Sequence, residues 1–386
     1  MTSASWELLG LAEVQLAAMK SLINIFSEPI ESNFLPGKSL IVDYSRTKPI
    51  ATLVGSSCYR SVSDDALKDE DNAGWLLELD ETIRSEWIER ISWIRLIDRL
   101  AEQELLYPEE PQFQKFLEEW NYLLNTGSLP TECTFSDILT KIKTAWFGEA
   151  AQPASIQAWD QYVRAIAHYH SADLVIATLE DYEQMLVDLG GSLFRVFPYL
   201  SDRHYQAAQH FGVLDQFYNH LRDLWEDAAQ GICYLPTEIL NRFGVSRAEI
   251  LQQTAYQNPG YHKMMTFWLE DYLPQLRHKA DQLLNANPLH PSWRILRDWS
   301  VYRYRRIELT FRHCRLDYVQ FPEVYWQRVQ ADLPMLLAQV RSQNAVSHHP
   351  VGFSSSISTL YSQLRGWNQR LSFPSVSPQL AMLSAA

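Results

Sequence analysis

Cysteine is scarce: 386 residues carry four, at positions 58, 133, 233 and 314, with no Cys-x-x-Cys spacing. Thiols so scattered indicate neither a zinc site nor a disulfide framework, and they read as reduced thiols of a cytoplasmic protein. Positive charge is also short. Against 46 Asp and Glu stand 33 Lys and Arg, a formal net charge of −13. That balance argues against a nucleic-acid partner and against a basic membrane-binding patch. No run of 18 apolar residues occurs, so no segment reads as spanning a bilayer. No charged stretch leads into an apolar one at the start, as a secretory signal would require. Glycine totals only 14, and nothing in the middle of the chain reads as a linker.

What is present is apolar and aromatic. The hydrophobic fraction is 46%, the aromatic fraction 12%, and 13 residues are Trp. These values fit a well-buried globular protein, and a deep apolar chamber is one use for so many indoles. Apolar residues recur at helical spacing through most of the chain, which predicts an all-α fold built as a single-domain helical core. An N-terminal helix over 4–28 ends at Pro29. Residues 30–73 differ, with Pro36, Gly37, a β-branched run at 50–54, and the acidic run Asp64, Asp65, Asp69, Glu70 and Asp71. That run lacks surrounding apolar order and reads as a solvated loop, within an irregular insertion of short strands or a flap. Helical patterns follow at about 75–106, 111–125, 134–147, 154–174, 178–198, 202–230, 247–256, 261–286, 291–316 and 322–342. Breakers such as Gly127, Pro130, Pro153, Pro198, Pro259 and Pro291 separate them. The expected division is 1–90 for the N-terminal helix and insertion, 91–342 for the helical core, and 343–386 for a loosely ordered tail with one short helix near 356–367. His348 and His349 in that tail read as solvent-exposed, and no internal repeat is visible.

The most informative stretch is residues 212–236, GVLDQFYNHLRDLWEDAAQGICYLP. Asp223 and Asp227 stand four apart with Glu226 between them, and no breaker intervenes until Gly231. On a helix, residues four apart share a face, so both carboxylates project into one region. Val213, Leu214, Phe217, Leu221 and Leu224 set that helix against a core. Carboxylates so close repel unless a cation lies between them. The pattern therefore predicts a Mg²⁺ site of the kind that keeps waters and shares its ion with substrate phosphates.

Gly212, Gln216, Asn219, Arg222, Asp223, Asp227, Tyr234, Leu235 and Pro236 fall, without a gap, on the second aspartate-rich motif of the squalene and phytoene synthase family, and the segment resembles it closely. The resemblance implies an isoprenoid-synthase-like helical bundle around a central apolar cavity, with two acidic helices facing each other across it. It implies Mg²⁺ as cofactor and two prenyl diphosphates, farnesyl or geranylgeranyl, as substrates joined head to head. The first motif of that family is Arg-x-x-Asp-Asp-x-x-Asp, and IRLIDRLAE is the best match, giving Arg95, Asp98 and Glu102. Here Arg99 stands in place of the second Asp, and Glu102 replaces the last. The implied catalytic residues are Asp98, Glu102, Asp223, Asp227 and Tyr234, and the implied metal ligands are Asp98, Glu102, Asp223, Glu226 and Asp227. Arg95, Gln216, Asn219 and Arg222 are implied substrate contacts, with Arg95 and Arg222 countering phosphate charge or holding the carboxylates. Tyr234 has two readings, stabilising a carbocation with its ring or anchoring the turn before Pro236.

Other segments carry the resemblance with less specificity, over about residues 90–320. Tyr304, Arg305, Ile307 and Asp317 match the family's closing helix, with Leu316 in place of a Tyr, and Thr178 to Val196 matches a segment with a small-residue pair. Gly190 and Gly191 there would permit a helix break or close packing beside the cavity. Departures are also visible. Gln230 and Ile232 stand where Arg is common, and no Ser-Phe-Tyr segment precedes the first motif. His168 and His170, two apart on a helix, point to different faces and predict no shared metal, and nearby Asp173 reads as a surface residue. Two functions remain open: a Mg²⁺-dependent prenyltransferase, or a non-catalytic relative that binds lipid or assists assembly. Use of NADPH is open, and nothing in the sequence indicates it. Release of an apolar product would bring peripheral membrane contact to a cytoplasmic protein.

Overall fold

The computed structural model describes residues 66–109, 111–148, 151–171 and 174–347, all within one compact unit spanning Tyr44–Ala386. The expected helices at 4–28 and 356–367, Cys58, Asp64, Asp65, Asp173, His348 and His349 lie outside the described residues. Every regular element among those described is helical. In chain order they are α1 (Ala66–Ala73), a 3₁₀ turn (Gly74–Glu78), α2 (Glu81–Leu106), α3 (Gln112–Thr126), α4 (Ser136–Trp146), α5 (Pro153–Tyr169) and α6 (Leu179–Leu186). A π-helical turn, Val187–Gly191, joins α6 to α7 (Ser192–Val196). Then come a 3₁₀ turn (Asp202–His204), α8 (Tyr205–Ala229), α9 (Thr237–Phe243), α10 (Arg247–Leu251), a 3₁₀ turn (Ala255–Gln257), α11 (Pro259–Thr266), a second π-helical turn (Phe267–Tyr272), α12 (Leu273–Leu284), α13 (Pro291–His313) and α14 (Phe321–Ser347).

Local chemistry sets several boundaries. Pro153 and Pro291 open α5 and α13, where a missing N–H costs nothing because the first turn has no acceptor for it. Thr178 and Asp181 close a reciprocal capping box at the start of α6, and Ser246 and Glu249 do the same for α10. Gly127 ends α3 in the left-handed conformation at φ 66°.

α8 is the central rod. Phe211, Leu214, Phe217, Tyr218, Leu221 and Leu224 are buried along it, each contributing about 1.5–3 kcal/mol on leaving water. It packs against the π turn at Val187–Gly191, α7, α12 and α13, while α5 bridges from that π turn to α2. The contact between α8 and the π turn is a backbone contact. A Cβ on Gly190 would fall 2.6 Å from the Gln216 Cβ and on the Gly212 carbonyl, and one on Gly212 would strike the Gly190 carbonyl. Only hydrogen fits on either side, so Gly190 and Gly212 set the depth at which α8 sits. The tryptophans seal seams between helices: Trp75, Trp87 and Trp293 meet edge to face, as do Trp93 and Trp146.

The acidic run departs from its expected solvated loop. Asp69, Glu70 and Asp71 lie on α1 and are only 4%, 4% and 1% exposed. Asp71 accepts from the Arg306 guanidinium at 2.6 Å and from the Tyr325 hydroxyl at 2.6 Å, and its carbonyl accepts from Trp299 Nε1 at 2.7 Å. Arg306 in turn pairs with Asp332 at 3.0 Å. Charges can be buried when opposite charges and donors meet them, and here the partners come from α13 and α14, more than 230 residues away.

Candidate active site

α8 carries Asp223, Glu226 and Asp227 at the end of its last turns, all partly buried. Arg222, 5% exposed, lies against its neighbour: Nε and Nη2 donate to the two oxygens of Asp223 at 2.6 and 2.8 Å, and Nη1 donates to Asn72 Oδ1 of α1 at 2.9 Å. Asn72 also accepts from Arg303, which pairs with Asp215 two turns earlier on α8. Arg222 is thus fixed from α1 and α8 together, and it aligns Asp223.

A second cation reaches the same carboxylate. Lys68, one turn before Asn72 on α1, places its ammonium 3.0 Å from Asp223 Oδ2 and 3.2 Å from Glu226 Oε2. Burial alone would push the Asp223 carboxyl up, but Arg222 and Lys68 outweigh it and hold the group well below the usual range. Burial and then the Asp223 charge push Asp227 the other way, well above its ordinary value. The two carboxyls are thus shifted in opposite directions, as expected for adjacent carboxylates of which only one has cationic partners in contact.

α2 supplies the first acidic pair. Asp98 accepts a 2.5 Å hydrogen bond from the Tyr162 hydroxyl of α5, and Arg95 pairs with Asp69 of α1 at 3.1 Å. Burial raises the Asp98 carboxyl, against the opposing influence of Tyr162, Arg95, His170 and Lys68. Glu102 lies one turn further along α2, partly buried.

Tyr234 relates the two pairs. After α8 ends, Gly231 turns at φ 80° and Ile232 N–H donates back to the Asp227 carbonyl at 2.8 Å, which returns the chain alongside the helix. Tyr234 then stacks on His220 at 4.6 Å with ring planes 11° apart. Its hydroxyl is pushed upward by burial first, then by the charges of Asp227, Glu102, Asp98 and Asp223. All four aspartate and glutamate side chains predicted as catalytic thus act on one phenol. Lys68 likewise lowers Asp98, Asp223 and Asp227 together.

Gln216 and Asn219 have partners within the helix. Gln216 contacts His220 Nε2 at 3.0 Å, and Asn219 donates to Asp215 at 3.2 Å. Asp215 also accepts from Tyr304 at 2.6 Å, so Tyr304 of α13 serves this buried network, while Arg305 is exposed and Asp317 caps the following turn through Val319 N–H at 2.8 Å. His168 is exposed, and His170, whose pKa burial lowers, lies near Asp98. Lys68, Asn72, Tyr162 and His220 carry no signal in the sequence, and His170 is expected there only to share no metal with His168. None has a diagnostic spacing: Lys68 and Asn72 come from α1, Tyr162 from α5, His170 from the residue after α5, and His220 from α8.

Around His220 the interior is aromatic. Its Nδ1 meets the Tyr182 hydroxyl at 3.1 Å, and Tyr182, Phe217, Trp268 and Tyr272 form a connected set of rings. A separate depression of about 460 Å³ lies between α2 and α4, lined by Glu86, Ser92, Trp93, Asp137 and Lys141 among others; it includes none of the predicted site residues. Among the described residues no group of three or more His, Cys, Asp or Glu side chains forms a metal cage. Mg²⁺ needs no such cage, since one or two carboxylates, substrate oxygens and water complete its shell. The donors present are hard carboxylate oxygens, the ligand type that Mg²⁺ takes, and the Lys68 ammonium is paired with two of them.

The molecule is thus all-helical among its described residues, with an acidic pair on each of two helices. The squalene/phytoene synthase family model matches residues 79–328, well over half the chain, and the protein belongs to that family. A crystal structure of a dehydrosqualene synthase in complex with a ligand is similar at TM-score 0.51 and 14% identity, over 69% of this chain and 92% of that one. The squalene synthase HpnC from Alicyclobacillus acidocaldarius gives TM-score 0.49 and 15% identity, over 64% and 90%. At such identity the first likeness establishes the fold alone. No curated protein matches by sequence. No helix among the described residues is long and apolar enough to cross a membrane.

Proposed function

We propose that the protein condenses two prenyl diphosphates head to head. The observation that supports this reading is that neighbouring residues of α1 reach both acidic helices: Asp69 pairs with Arg95, one turn before Asp98 on α2, at 3.1 Å, and Lys68 pairs with Asp223 of α8 at 3.0 Å. Asp98, Glu102, Asp223 and Asp227, with Glu226 beside them, would hold Mg²⁺, which neutralises the charge of a departing diphosphate. The protein's own side chains do the rest. Arg222 keeps Asp223 ionised and aligned. Arg95, held by Asp69 at 3.1 Å, puts positive charge beside Asp98, where a diphosphate needs it. Tyr234 stacks on His220, whose Nδ1 meets the Tyr182 hydroxyl of the aromatic cluster. Tyr234 presents a ring face suited to an allylic cation, and the Tyr182–Trp268–Phe217 cluster keeps water from that side.

The test is incubation of purified protein with farnesyl and geranylgeranyl diphosphates and Mg²⁺, followed by extraction and mass analysis of hydrocarbons. A C30 or C40 product supports the reading; its absence with both substrates overturns it. The second reading, a non-catalytic relative that binds lipid or assists assembly, is favoured by one observation. Lys68 already compensates Asp223 and Glu226, so the second motif is stable without a metal. Tight binding of prenyl diphosphate without turnover would select it.

A further inference from the structure

We propose that Lys68 is the resident counter-cation of the second acidic motif, and that a divalent cation reaches Asp223 and Glu226 only by displacing its ammonium. The inference rests on the metal-site reading above and adds a competitor built into the chain. The Lys68 ammonium stands 3.0 Å from Asp223 and 3.2 Å from Glu226, within contact of one carboxylate oxygen on each. A compact ammonium on a flexible four-carbon stem is suited to a position that must be vacated. Mg²⁺ and the ammonium cannot share the same oxygens without strong repulsion at this spacing.

The helix that carries Lys68 is fixed. Asp71 is tied to Arg306 and Tyr325 at 2.6 Å each, Trp299 holds the Asp71 carbonyl at 2.7 Å, and Asn72 is held by Arg222 at 2.9 Å. Displacement is therefore a rotation of the Lys68 side chain, while α1 stays in place. The side chain is 23% exposed, which leaves it a route outward. The displaced ammonium remains tethered beside the acids, and an incoming diphosphate supplies the anion it then pairs with. Arg222 has no such freedom: it is 3% exposed and bound on both sides, so it stays with Asp223 whether or not a metal is present.

Two measurements test this. Mn²⁺ binding, followed by electron paramagnetic resonance of the free ion, is compared in the wild type, Lys68→Met, Lys68→Arg and Asp223→Asn. Lys68→Met is expected to bind Mn²⁺ about tenfold tighter or more than the wild type, and Lys68→Arg to stay as weak as the wild type. In the wild type itself, acetylation of Lys68 read by peptide mass spectrometry is expected to rise severalfold when Mn²⁺ saturates the protein. Equal Mn²⁺ affinity in wild type and Lys68→Met, or Lys68 labelling that does not respond to Mn²⁺, overturns the proposal even if hydrocarbon product is formed. If Asp223→Asn binds Mn²⁺ as the wild type does, the ion does not use that carboxylate, and the metal assignment fails along with it. The labelling arm needs no variant, so a poorly folding substitution leaves the question decidable.

Discussion

Asp71 and His220 illustrate how single side chains are placed against their intrinsic preference. Asp71 is 1% exposed and survives burial because Arg306 and Tyr325 meet it. Asp71→Ala leaves Arg306 buried with only Asp332 opposite, and the expected cost is about 3–5 kcal/mol, read as a lower urea midpoint with unchanged slope. His220 is buried between Tyr182 and Tyr234, and burial, opposed by Asp223, pushes its pKa down to about 4. Its folded-state pKa lies below the ordinary value, so the unfolded chain takes up the proton first. Stability from this residue is complete above about pH 6.5 and declines towards pH 4, by up to about 3 kcal/mol. His220→Asn should flatten that portion of the urea midpoint against pH; an unchanged slope would place the acid sensitivity elsewhere.

At the level of elements, the helical periodicity was plain in the sequence and the π turn was not. The pattern over 178–198 reads as one helix, yet the backbone takes an extra residue at Val187–Gly191 between α6 and α7. Gly190 and Gly191 signalled a break or close packing there, and the close packing proves to be backbone against backbone at Gly212. Gly212 itself was legible only as part of a motif; its physical role needs the partner 22 residues earlier. Gly212→Ala would push α8 off the π turn and tilt Asp223 and Asp227 with it. The expected destabilisation is about 1–3 kcal/mol, with loss of product formation greater than the loss of folded protein, measured by circular dichroism alongside the hydrocarbon assay. α9 was missed because its seven residues show too little periodicity, and α1 was misread because acidic residues carry no sign of the distant cations that bury them.

Over the whole molecule, the second acidic motif could be read from nine closely spaced residues, whereas its surroundings could not. Lys68 and Asn72 come from α1, Tyr162 from α5, Arg303 from α13, and only folding assembles them. The degenerate first motif illustrates the same point. Asp98 and Glu102 promised a carboxylate pair, but nothing in the sequence indicated that Tyr162 would donate to Asp98 or that Asp69 would hold Arg95. α1 thus spans both motifs, with Asp69 on the first and Lys68 on the second. Asp69→Asn should weaken the hold on Arg95 and raise the apparent KM for prenyl diphosphate more than it lowers kcat, in steady-state assays with Mg²⁺ fixed.

The central claim is that the acids of α2 and α8 serve one reaction. The direct measurement is Mg²⁺-dependent diphosphate release from farnesyl and geranylgeranyl diphosphates by the wild type, Asp98→Asn, Asp223→Asn and the double variant. The account predicts that each single change lowers the rate by about a hundredfold or more and that the double variant is hardly worse than either, as for residues acting as a unit. Wild-type release by Asp98→Asn, or effects that simply multiply in the double variant, would contradict it.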